Sequence, residues 1–393
     1  MIAAVACDGT AEPDRPATLR LTTVTTGEDV DPDGYSFSLD GNPSTALGSN
    51  AGVIIAGLAS GEHSLQLDGL AENCELAGDN PRSLSLLEGD TTVVALAFTC
   101  QALLVTHPAG VVVRSVPLDG APYGVAVSSD GIVYAALIGS NSLARGDVVS
   151  MSFGSSVEVG LTPPHVAFNP AGTVVYATLQ TGRGLAVVDA ATNSLITAVP
   201  LASDGFNLLV SPDGRFVYTT ADGTLYVIDA GTYAVVTTLD VGAAANGLAF
   251  SPEGRILYVS SRDAGTVVAV DLTLYTVTRT YFLGGAPQRL AVAPDGSELY
   301  VANEADGLDV VDVASGAVTT VGFGTPGYGL GLTPDGAQLY VTLPDAGEVR
   351  VLERATRAPL RNITVYGRPR NVAFTRDGRT ALVATEEAVV FVR

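Results

Sequence analysis

The chain of 393 residues has no lysine, no tryptophan, three histidines and three cysteines. The absence of lysine excludes Schiff-base chemistry and lysine nucleophiles. The sequence also contains no Gly-x-Ser-x-Gly, no His-Glu-x-x-His and no pair of Cys-x-x-Cys motifs. The common signatures of serine hydrolases, zinc proteases and zinc ribbons are therefore missing. No apolar run reaches the roughly 18 residues that a membrane-spanning helix needs.

Positive charge is scarce as well. Twenty arginines stand against 41 acidic residues, which gives a formal net charge of −21. An acidic surface repels phosphate backbones and anionic headgroups, so nucleic acid and bare membrane surfaces are poor partners. By contrast, glycine is abundant at 44 residues, and hydrophobic residues make up 47% of the chain. This composition is typical of a packed, turn-rich β protein.

One short phrase, Ser211-Pro212-Asp213-Gly214, recurs along the last three quarters of the chain. Proline presets φ, aspartate bonds the local backbone and glycine adopts positive φ, so the phrase predicts a tight turn between two strands. The turn glycine returns every 40 to 42 residues, at Gly131, Gly172, Gly214, Gly254, Gly296, Gly336 and Gly378. A period near 40 with four strand signals per unit predicts β-propeller blades, here seven.

Two further positions repeat with the turn. A tyrosine such as Tyr218 follows the turn glycine by four residues, and an aspartate such as Asp229 ends the third strand. The tyrosines could form a functional array, but we interpret them as packing between blades with the hydroxyl bonded to backbone. The aspartates could act as acids, but we interpret them as caps of the following hairpin turn.

The phrases Leu299-Tyr300-Val301-Ala302-Asn303 and Leu339-Tyr340-Val341-Thr342 follow Pro-Asp-Gly. They resemble the YVTN family of β-propeller repeats, and the match covers about residues 102–393. The resemblance implies a propeller fold and is nearly silent on function. The last repeat contains only three strands, so we predict that residues 111–116 supply the fourth by pairing beside 388–392. Such closure removes free sheet edges.

We therefore expect an all-β protein: a seven-bladed β-propeller preceded by a small β-sandwich domain. The expected segments are 1–16, a truncated lipoprotein-like signal and tether; 17–100, the sandwich; and 101–393, the propeller. Six strand signals with Gly, Asn, Asp and Pro connections predict the sandwich, namely 18–25, 35–39, 53–58, 63–67, 83–87 and 91–99. Residues 57–65 resemble a hairpin of immunoglobulin-like or prealbumin-like modules in bacterial surface proteins, which usually act as spacers.

Small residues directly before Cys7 resemble the end of a bacterial lipoprotein signal, in which this cysteine becomes lipidated. We expect a lipoprotein whose true start lies upstream; the alternative is an unmodified intracellular cysteine. With Cys7 lipidated, Cys74 and Cys100 form one even pair. A disulfide between them would staple the small domain and imply an oxidising compartment. The alternative is two buried free thiols.

One acidic stretch has the oxygen spacing of a calcium loop. Asp29, Asp31 and Asp33 occupy its positions 1, 3 and 5, Gly34 follows, and Asp40 takes position 12. A proline inside the loop and an aspartate in place of the usual last glutamate depart from the pattern. A solvated acidic turn is the alternative, and we expect no cofactor other than this candidate calcium ion.

In a propeller the first strand of each blade lines the central channel, and ligands usually bind at the face where those strands begin. Seven residues before the turn glycines lie Gly124, His165, Asn207, Gly247, Arg289, Gly329 and Asn371. Eight residues before them lie Tyr123, Pro164, Phe206, Asn246, Gln288, Tyr328 and Arg370. The loops between the second and third strands should share this face and add Arg145, Arg183, Arg262, Asp263, Asn303, Glu304 and Asp345.

These positions differ between blades, whereas the scaffold positions repeat. We predict a ligand-binding rim formed by Tyr123, His165, Phe206, Asn207, Arg289, Tyr328, Arg370, Asn371, Arg262, Asn303 and Glu304. A mixture of aromatic, amide and charged side chains suits a polar or peptide-like ligand. The alternative is that loop tips simply vary, because loops tolerate change.

Two classes of function follow. The first is an extracytoplasmic binding or scaffolding protein, monomeric, and either anchored as a bacterial lipoprotein or secreted. It would use one propeller face for a protein, peptide or glycan ligand. The second is a metal-dependent enzyme resembling the propeller lactonases or lyases, whose sites need a metal or a general base at the channel mouth. Only His165 of the three histidines is at the rim, so we favour binding.

Overall fold

The computed structural model describes residues 15–27, 34–70, 74–100 and 106–393. These residues form two compact units, with the division after residue 103. No helix in those ranges is long and apolar enough to cross a bilayer. The lipoprotein-like segment with Cys7 lies outside the described residues, so its prediction stays a prediction.

The first unit is a sandwich of two four-stranded sheets, as predicted. Its strands are β1 (Ala17–Gly27), β2 (Tyr35–Leu39), β3 (Thr45–Leu47), β4 (Gly52–Leu58), β5 (Gly61–Asp68), β6 (Cys74–Leu76), β7 (Arg82–Leu86) and β8 (Thr91–Cys100). One sheet has the order β4-β1-β8-β6 and the other β3-β2-β5-β7. The sequence pattern missed β3 and β6, because three residues are too few to show an alternating pattern.

Alternating burial along β1 and β8 builds the core of the sandwich. Leu19, Leu21 and Leu96 are fully buried, and the ring of Tyr35 stacks on Phe98 with centroids 3.7 Å apart. At the sheet edge a disulfide joins Cys74 of β6 to Cys100 of β8, so the free-thiol alternative is wrong in this structure. The disulfide therefore links the three-residue edge strand β6 to the long central strand β8.

The structure corrects the reading of residues 57–65 as a hairpin. Strand β4 pairs with β1, whereas β5 pairs with β2 and β7, so the chain crosses from one sheet to the other here. The His63 imidazole at this crossover lies 2.6 Å from the Asp40 carboxylate, and its other nitrogen lies 3.0 Å from the Ala59 carbonyl oxygen. The sequence pattern predicted strands β4 and β5 but not the strands with which each of them pairs.

The second unit is a ring of seven four-stranded antiparallel sheets. Blade one is β10 (Pro122–Val127), β11 (Ile132–Leu137), β12 (Ser142–Asp147) and β13 (Ser152–Glu158). Blade two is β14 (Val166–Phe168), β15 (Val174–Leu179), β16 (Gly184–Asp189) and β17 (Ser194–Pro200). Blade three is β18 (Gly205–Val210), β19 (Phe216–Ala221), β20 (Thr224–Asp229) and β21 (Val235–Asp240). Blade four is β22 (Ala245–Phe250), β23 (Ile256–Ser261), β24 (Thr266–Asp271) and β25 (Thr276–Phe282).

The last three blades complete the ring. Blade five is β26 (Pro287–Val292), β27 (Glu298–Asn303), β28 (Gly307–Asp312) and β29 (Val318–Val321). Blade six is β30 (Leu330–Leu332), β31 (Gln338–Leu343), β32 (Glu348–Glu353) and β33 (Pro359–Thr364). Blade seven is β34 (Pro369–Phe374), β35 (Ala381–Thr385), β36 (Ala388–Val392) and, from the start of the unit, β9 (Val112–Pro117).

The predicted closure of the ring is confirmed. Strand β9 pairs antiparallel with β36, and Val116 lies opposite Val389. Closure places the first and last blades side by side, with β10 against β34. Strand β36, which would otherwise be an edge strand, is thereby paired on both sides, by β35 and β9.

The repeated turn has the predicted chemistry. Gly214 adopts φ of 71°, and the Ser211 hydroxyl donates to the Asp213 carboxylate at 2.6 Å. The aspartates after the third strands cap the next turn, as interpreted: Asp229 accepts the backbone N–H of Thr232 at 2.8 Å. This hydrogen bond holds the pKa of Asp229 below its usual value. These carboxylates therefore stabilise the turns, which agrees with a structural role and not with a role as catalytic acids.

The repeated tyrosines pack between blades, also as interpreted. Tyr134 is fully buried and meets Phe168 of the next blade edge-on, with ring centroids 5.7 Å apart. Their hydroxyls are less uniform than expected. Tyr340 donates to the Pro108 carbonyl, but Tyr134 donates to the Asn193 side chain, so only some of them reach backbone. Six of the seven blades have this tyrosine, and the seventh has Leu382 in its place. The tyrosine rings pack in the same way, whereas the hydrogen-bond acceptor of the hydroxyl differs from blade to blade.

Candidate ligand-binding face of the propeller

A cavity of about 440 Å³ opens on the face where the first strands begin. It combines starts of first strands, Phe206 and Asn246, with loops between second and third strands, Arg183 and Arg262. Its lining is Gln180, Arg183, Ala202, Ser203, Asp204, Phe206, Asp222, Ala244, Ala245, Asn246 and Arg262. Blades two, three and four therefore share one concave surface with a half-exposed aromatic ring and charges of both signs.

The channel mouth beside this cavity is filled by side chains from opposite blades. Arg289 lies at the start of blade five and His165 at the start of blade two, yet Nη2 of the guanidinium donates to the imidazole, where it contacts both Nε2 and Nδ1. The His165 ring also meets the rings of Tyr123 and Phe206, with centroids 5.7 and 6.0 Å apart. Arg289 and His165 are 7% and 3% exposed. The structure thus brings four predicted rim residues together.

A second group closes the other side of the mouth. The hydroxyls of Tyr123 and Tyr328 are hydrogen-bonded to each other, and their rings are edge-on. The guanidinium of Arg370 lies over both rings, 5.5 and 4.9 Å from their centroids. It also donates to the Glu386 carboxylate, 2.9 Å from Nε. Cation–π contact and an ion pair together hold Arg370 in place.

A chain of polar side chains runs from the cavity wall along the rim. Asn246 donates to the side chain of Gln288, which donates to Glu304 at 2.7 Å. The other oxygen of Glu304 accepts from Arg262 at 3.0 Å, and Arg262 also reaches Asp263 at 2.9 Å. These bonds raise the pKa of Arg262, with the Glu304 hydrogen bond as the main cause. The predicted rim residues Arg262 and Glu304 therefore act as one connected unit.

The side chains of the three predicted rim asparagines form hydrogen bonds within the propeller. Asn303 holds its own loop, with bonds from the N–H groups of Ala286 and Ala305, and it donates to Asp309 at 2.7 Å. Asn207 accepts from the N–H of Leu208 at 2.8 Å. In the first blade the N–H of Val125 donates to Asn371, at 3.2 Å. Their repeated amide groups stabilise loops and neighbouring blades.

Two other expectations need adjustment. Arg145 lies inside β12 opposite Tyr134, not in a loop on the binding face, because the second-to-third-strand loop of blade one ends earlier. Conversely, the sequence analysis missed Glu386, Asp204 and Asp222, which border this face. Their position just before a first or third strand is the signal that could have found them.

Burial and charge determine the protonation of the channel mouth. Burial, helped by the nearby Arg289 charge, holds the pKa of His165 well below its usual value. The imidazole is therefore neutral at neutral pH and can accept the arginine hydrogen bond. Burial lowers the pKa of Arg289 to about 10, so this guanidinium remains protonated at neutral pH. The mouth thus carries a buried cation whose hydrogen-bond acceptor is neutral.

The calcium-loop residues lie in the other unit. Asp29, Asp31 and Asp33 are outside the described residues, and the calcium hypothesis stays a prediction. Asp40 is described, and one of its oxygens meets His63 while the other accepts the Ser64 N–H at 2.8 Å. Across the described ranges, no group of three or more His, Cys, Asp or Glu side chains is placed to hold a metal ion.

The closed ring of four-stranded sheets makes the larger unit a β-propeller. The chain belongs to the YNCE-like beta-propeller family, whose family model matches residues 71–331. This finding is broader than the resemblance to YVTN repeats, which depends on the repeat phrases alone. No curated protein matches the chain significantly.

Among solved structures, the chain is similar to hydrazine synthase of Kuenenia stuttgartiensis. The TM-score is 0.64 at 17% sequence identity, and the match covers 71% of this chain and 97% of the other. At this identity the likeness shows the fold alone. The function has to be argued from the residues of the face described above.

Proposed function

We propose that this protein binds a protein or peptide segment on the cavity-bearing face of its propeller. The observation that carries the proposal is the cavity of about 440 Å³, lined by residues that differ from blade to blade. A volume of this size accommodates a few side chains of a ligand. A propeller fold supports a ligand-binding or scaffolding role in general, and the lining supports this particular face.

The chemistry of the lining favours a peptide-like ligand. Phe206 offers a half-exposed aromatic surface, and Arg183 and Arg262 offer planar donors to carbonyl and carboxylate oxygens. Aromatic and arginine side chains are the commonest anchors of protein interfaces. Asp204 and Asp222 add acceptors for ligand N–H groups. A glycan would use the same ring and polar groups, and the test below separates the two.

A screen on peptide and glycan arrays with the full chain tests the proposal. We expect peptide signals that Phe206→Ala reduces about tenfold or more, because truncating a buried aromatic anchor costs over 1.4 kcal/mol. Glu253→Ser is the matched control, since this exposed residue lies in the turn between β22 and β23, on the opposite face. Glycan signals alone, or signals lost only in the control variant, would contradict peptide binding on this face.

The metal-dependent enzyme is the weaker alternative. Its only rim imidazole, His165, accepts a hydrogen bond from Arg289 and lies beside a positive charge. A metal ligand needs a free nitrogen lone pair and an environment that tolerates a further cation. Binding without catalysis therefore agrees better with the residues of the mouth.

We propose further that the protein acts outside the cytoplasm as a monomer, lipidated at Cys7 or secreted. The disulfide between Cys74 and Cys100 supports this location, because such bonds persist mainly in oxidising compartments. Labelling with an alkyne fatty acid in a bacterial host that expresses the gene should tag the wild type and not Cys7→Ser. Equal labelling of both proteins would contradict lipidation at Cys7.

A further inference from the structure

Arg289 differs from the other arginines on the cavity-bearing face. Among the described residues no carboxylate lies within 4.0 Å of its guanidinium, and none of them is a hydrogen-bond partner of its Nε. The other arginines of this face are paired with carboxylates, namely Arg183 with Asp204, Arg262 with Glu304, Arg368 with Asp345 and Arg370 with Glu386. The channel mouth therefore holds one surplus buried positive charge.

Burying a cation without a counter-ion is unfavourable, because the ion loses its hydration and gains no equivalent charge–charge attraction. The neutral His165 ring accepts one of the guanidinium hydrogen bonds but supplies no negative charge. An anion at this point would improve both the solvation and the electrostatics of Arg289. The arrangement thus matches a site that is completed by a negatively charged ligand.

A second polar group without a hydrogen-bond partner belongs to Asn246, whose side chain contacts Gln288. Asn246 is 3% exposed, and no group among the described residues donates a hydrogen bond to its Oδ1. Its Nδ2 donates to Gln288, the neighbour of Arg289 in the chain, and Asn246 also lines the cavity beside Phe206. The Arg289 guanidinium therefore lacks an anionic partner, and Oδ1 of Asn246 lacks a hydrogen-bond donor. A carboxylate with an adjacent N–H group supplies both.

We propose that the channel mouth binds the carboxylate of an N-acylated amino acid, with Arg289 as the counter-ion and Asn246 accepting the adjacent N–H. This inference rests on the proposed peptide-binding function and specifies the group that is recognised. One surplus charge favours a monoanionic carboxylate over a phosphate group, which carries about −1.5 to −2 charges at neutral pH. A peptide C-terminus and a free N-acyl amino acid share this chemistry.

The first test measures the melting temperature of the full chain with N-acetylglycine or N-acetylglycinamide at constant ionic strength. The two probes differ only in the charged carboxylate. We expect the acid, and not the amide, to raise the melting temperature with increasing concentration, because a ligand that binds only the folded state stabilises it. Equal shifts from both probes, or a shift from neither, would overturn the inference without any variant being needed.

Variants then assign the effect to Arg289. Arg289→Gln should weaken the affinity for N-acetylglycine about 10- to 100-fold, the typical loss of a charge-assisted hydrogen bond. Arg368→Gln is the matched control, because Arg368 lies on the same face and already pairs with Asp345. Its affinity should equal that of the wild type. Unchanged affinity in Arg289→Gln, or an equal loss in the control, would contradict the assignment.

The array peptides separate this inference from the proposed function. Peptides that bind only with a free C-terminal carboxylate, and not as C-terminal amides, would support both. Peptides that need Phe206 but bind equally as acid and amide would support the function and overturn the inference. An acid-specific shift with N-acetylglycine but no peptide signal would support the inference, identify the free amino acid derivative as the source and refute peptide binding.

Discussion

The guanidinium of Arg289 donates a hydrogen bond to the imidazole of His165, a residue 124 positions earlier in the chain. The two residues begin blades five and two, so their contact spans the channel mouth. Burial is the main cause that keeps the histidine neutral, and this contact adds to it. It also has a measurable consequence for stability.

Acid should destabilise the propeller through His165. Because burial and Arg289 lower its folded-state pKa, the unfolded chain takes up a proton below about pH 6.5 that the folded protein does not. The stabilisation is present above that pH and is lost as the pH falls, by up to about 1.4 kcal/mol per pH unit. Denaturant unfolding of wild type and His165→Gln at pH 7.5 and 5.5 measures it. An equal pH dependence in both proteins would contradict a buried neutral imidazole.

His63 should behave in the opposite way. Its hydrogen bond to Asp40 raises its folded-state pKa, so its contribution is present below about pH 6.5 and is lost as the pH rises through the raised value. Solvent screening limits the effect to under about 1 kcal/mol. His63→Gln should therefore cost more at pH 5.5 than at pH 8.5, measured by denaturant unfolding. A cost that grows with pH would exclude this ion pair.

Removal of the disulfide should destabilise the sandwich. The bridge closes a loop between residues that are 26 apart in sequence, for which loop-closure entropy gives about 3.5 kcal/mol. The double variant Cys74→Ser, Cys100→Ser should show this loss in a thermal or denaturant scan. Cys7→Ser, measured in parallel, should unfold like the wild type. A double variant as stable as the wild type would show that the bridge does not stabilise the fold.

The packing of the closing strand β9 should contribute to the free energy of unfolding of the propeller. Val116 packs against the core between blades one and seven, whereas Val113 in the same strand is 45% exposed. Val116→Asp buries a charge at the joint and should cost about 2 kcal/mol or more. Val113→Asp should stay within about 0.5 kcal/mol of the wild type, as a surface substitution does. Equal effects would mean that closure does not depend on this packing.

Asn303 should prove to be a structural residue. Its side chain is 4% exposed and bonds the N–H groups of Ala286 and Ala305 as well as the Asp309 carboxylate. Asn303→Ala leaves these groups unpaired and should cost about 1 to 3 kcal/mol. The exposed Asn362→Ala provides the comparison. Loss of ligand binding in Asn303→Ala at full thermal stability would restore it to the binding rim.

Much of the fold could be predicted because propeller order is local. The turn glycines, such as Gly214, and the tyrosines behind them recur at a fixed spacing, and each blade repeats the same short-range chemistry. Even ring closure followed from counting strands. The strands β3 and β6 and the crossover at residues 57–65 were not predictable, since pairing partners depend on contacts between segments distant in sequence.

The binding face was predictable only as a region. Counting back from the turn glycines placed Arg289, His165, Asn207 and Tyr328 at the rim. The count did not distinguish the contacts that each side chain makes. In the structure Asn207 serves the backbone, Tyr328 pairs with Tyr123, and Arg289 reaches His165. No local sequence pattern distinguishes these contacts, because they depend on which side chains meet across the ring.

The amino-acid sequence alone therefore determined the class of fold, the number of blades and the location of the variable face. Those features follow from turn chemistry and period, which act over a few residues. Only the tertiary structure decided that Arg370 is neutralised by Glu386 while Arg289 is left with a neutral partner. Charge compensation is settled by distances of a few ångströms between separate blades, and such distances exist only once the ring has closed.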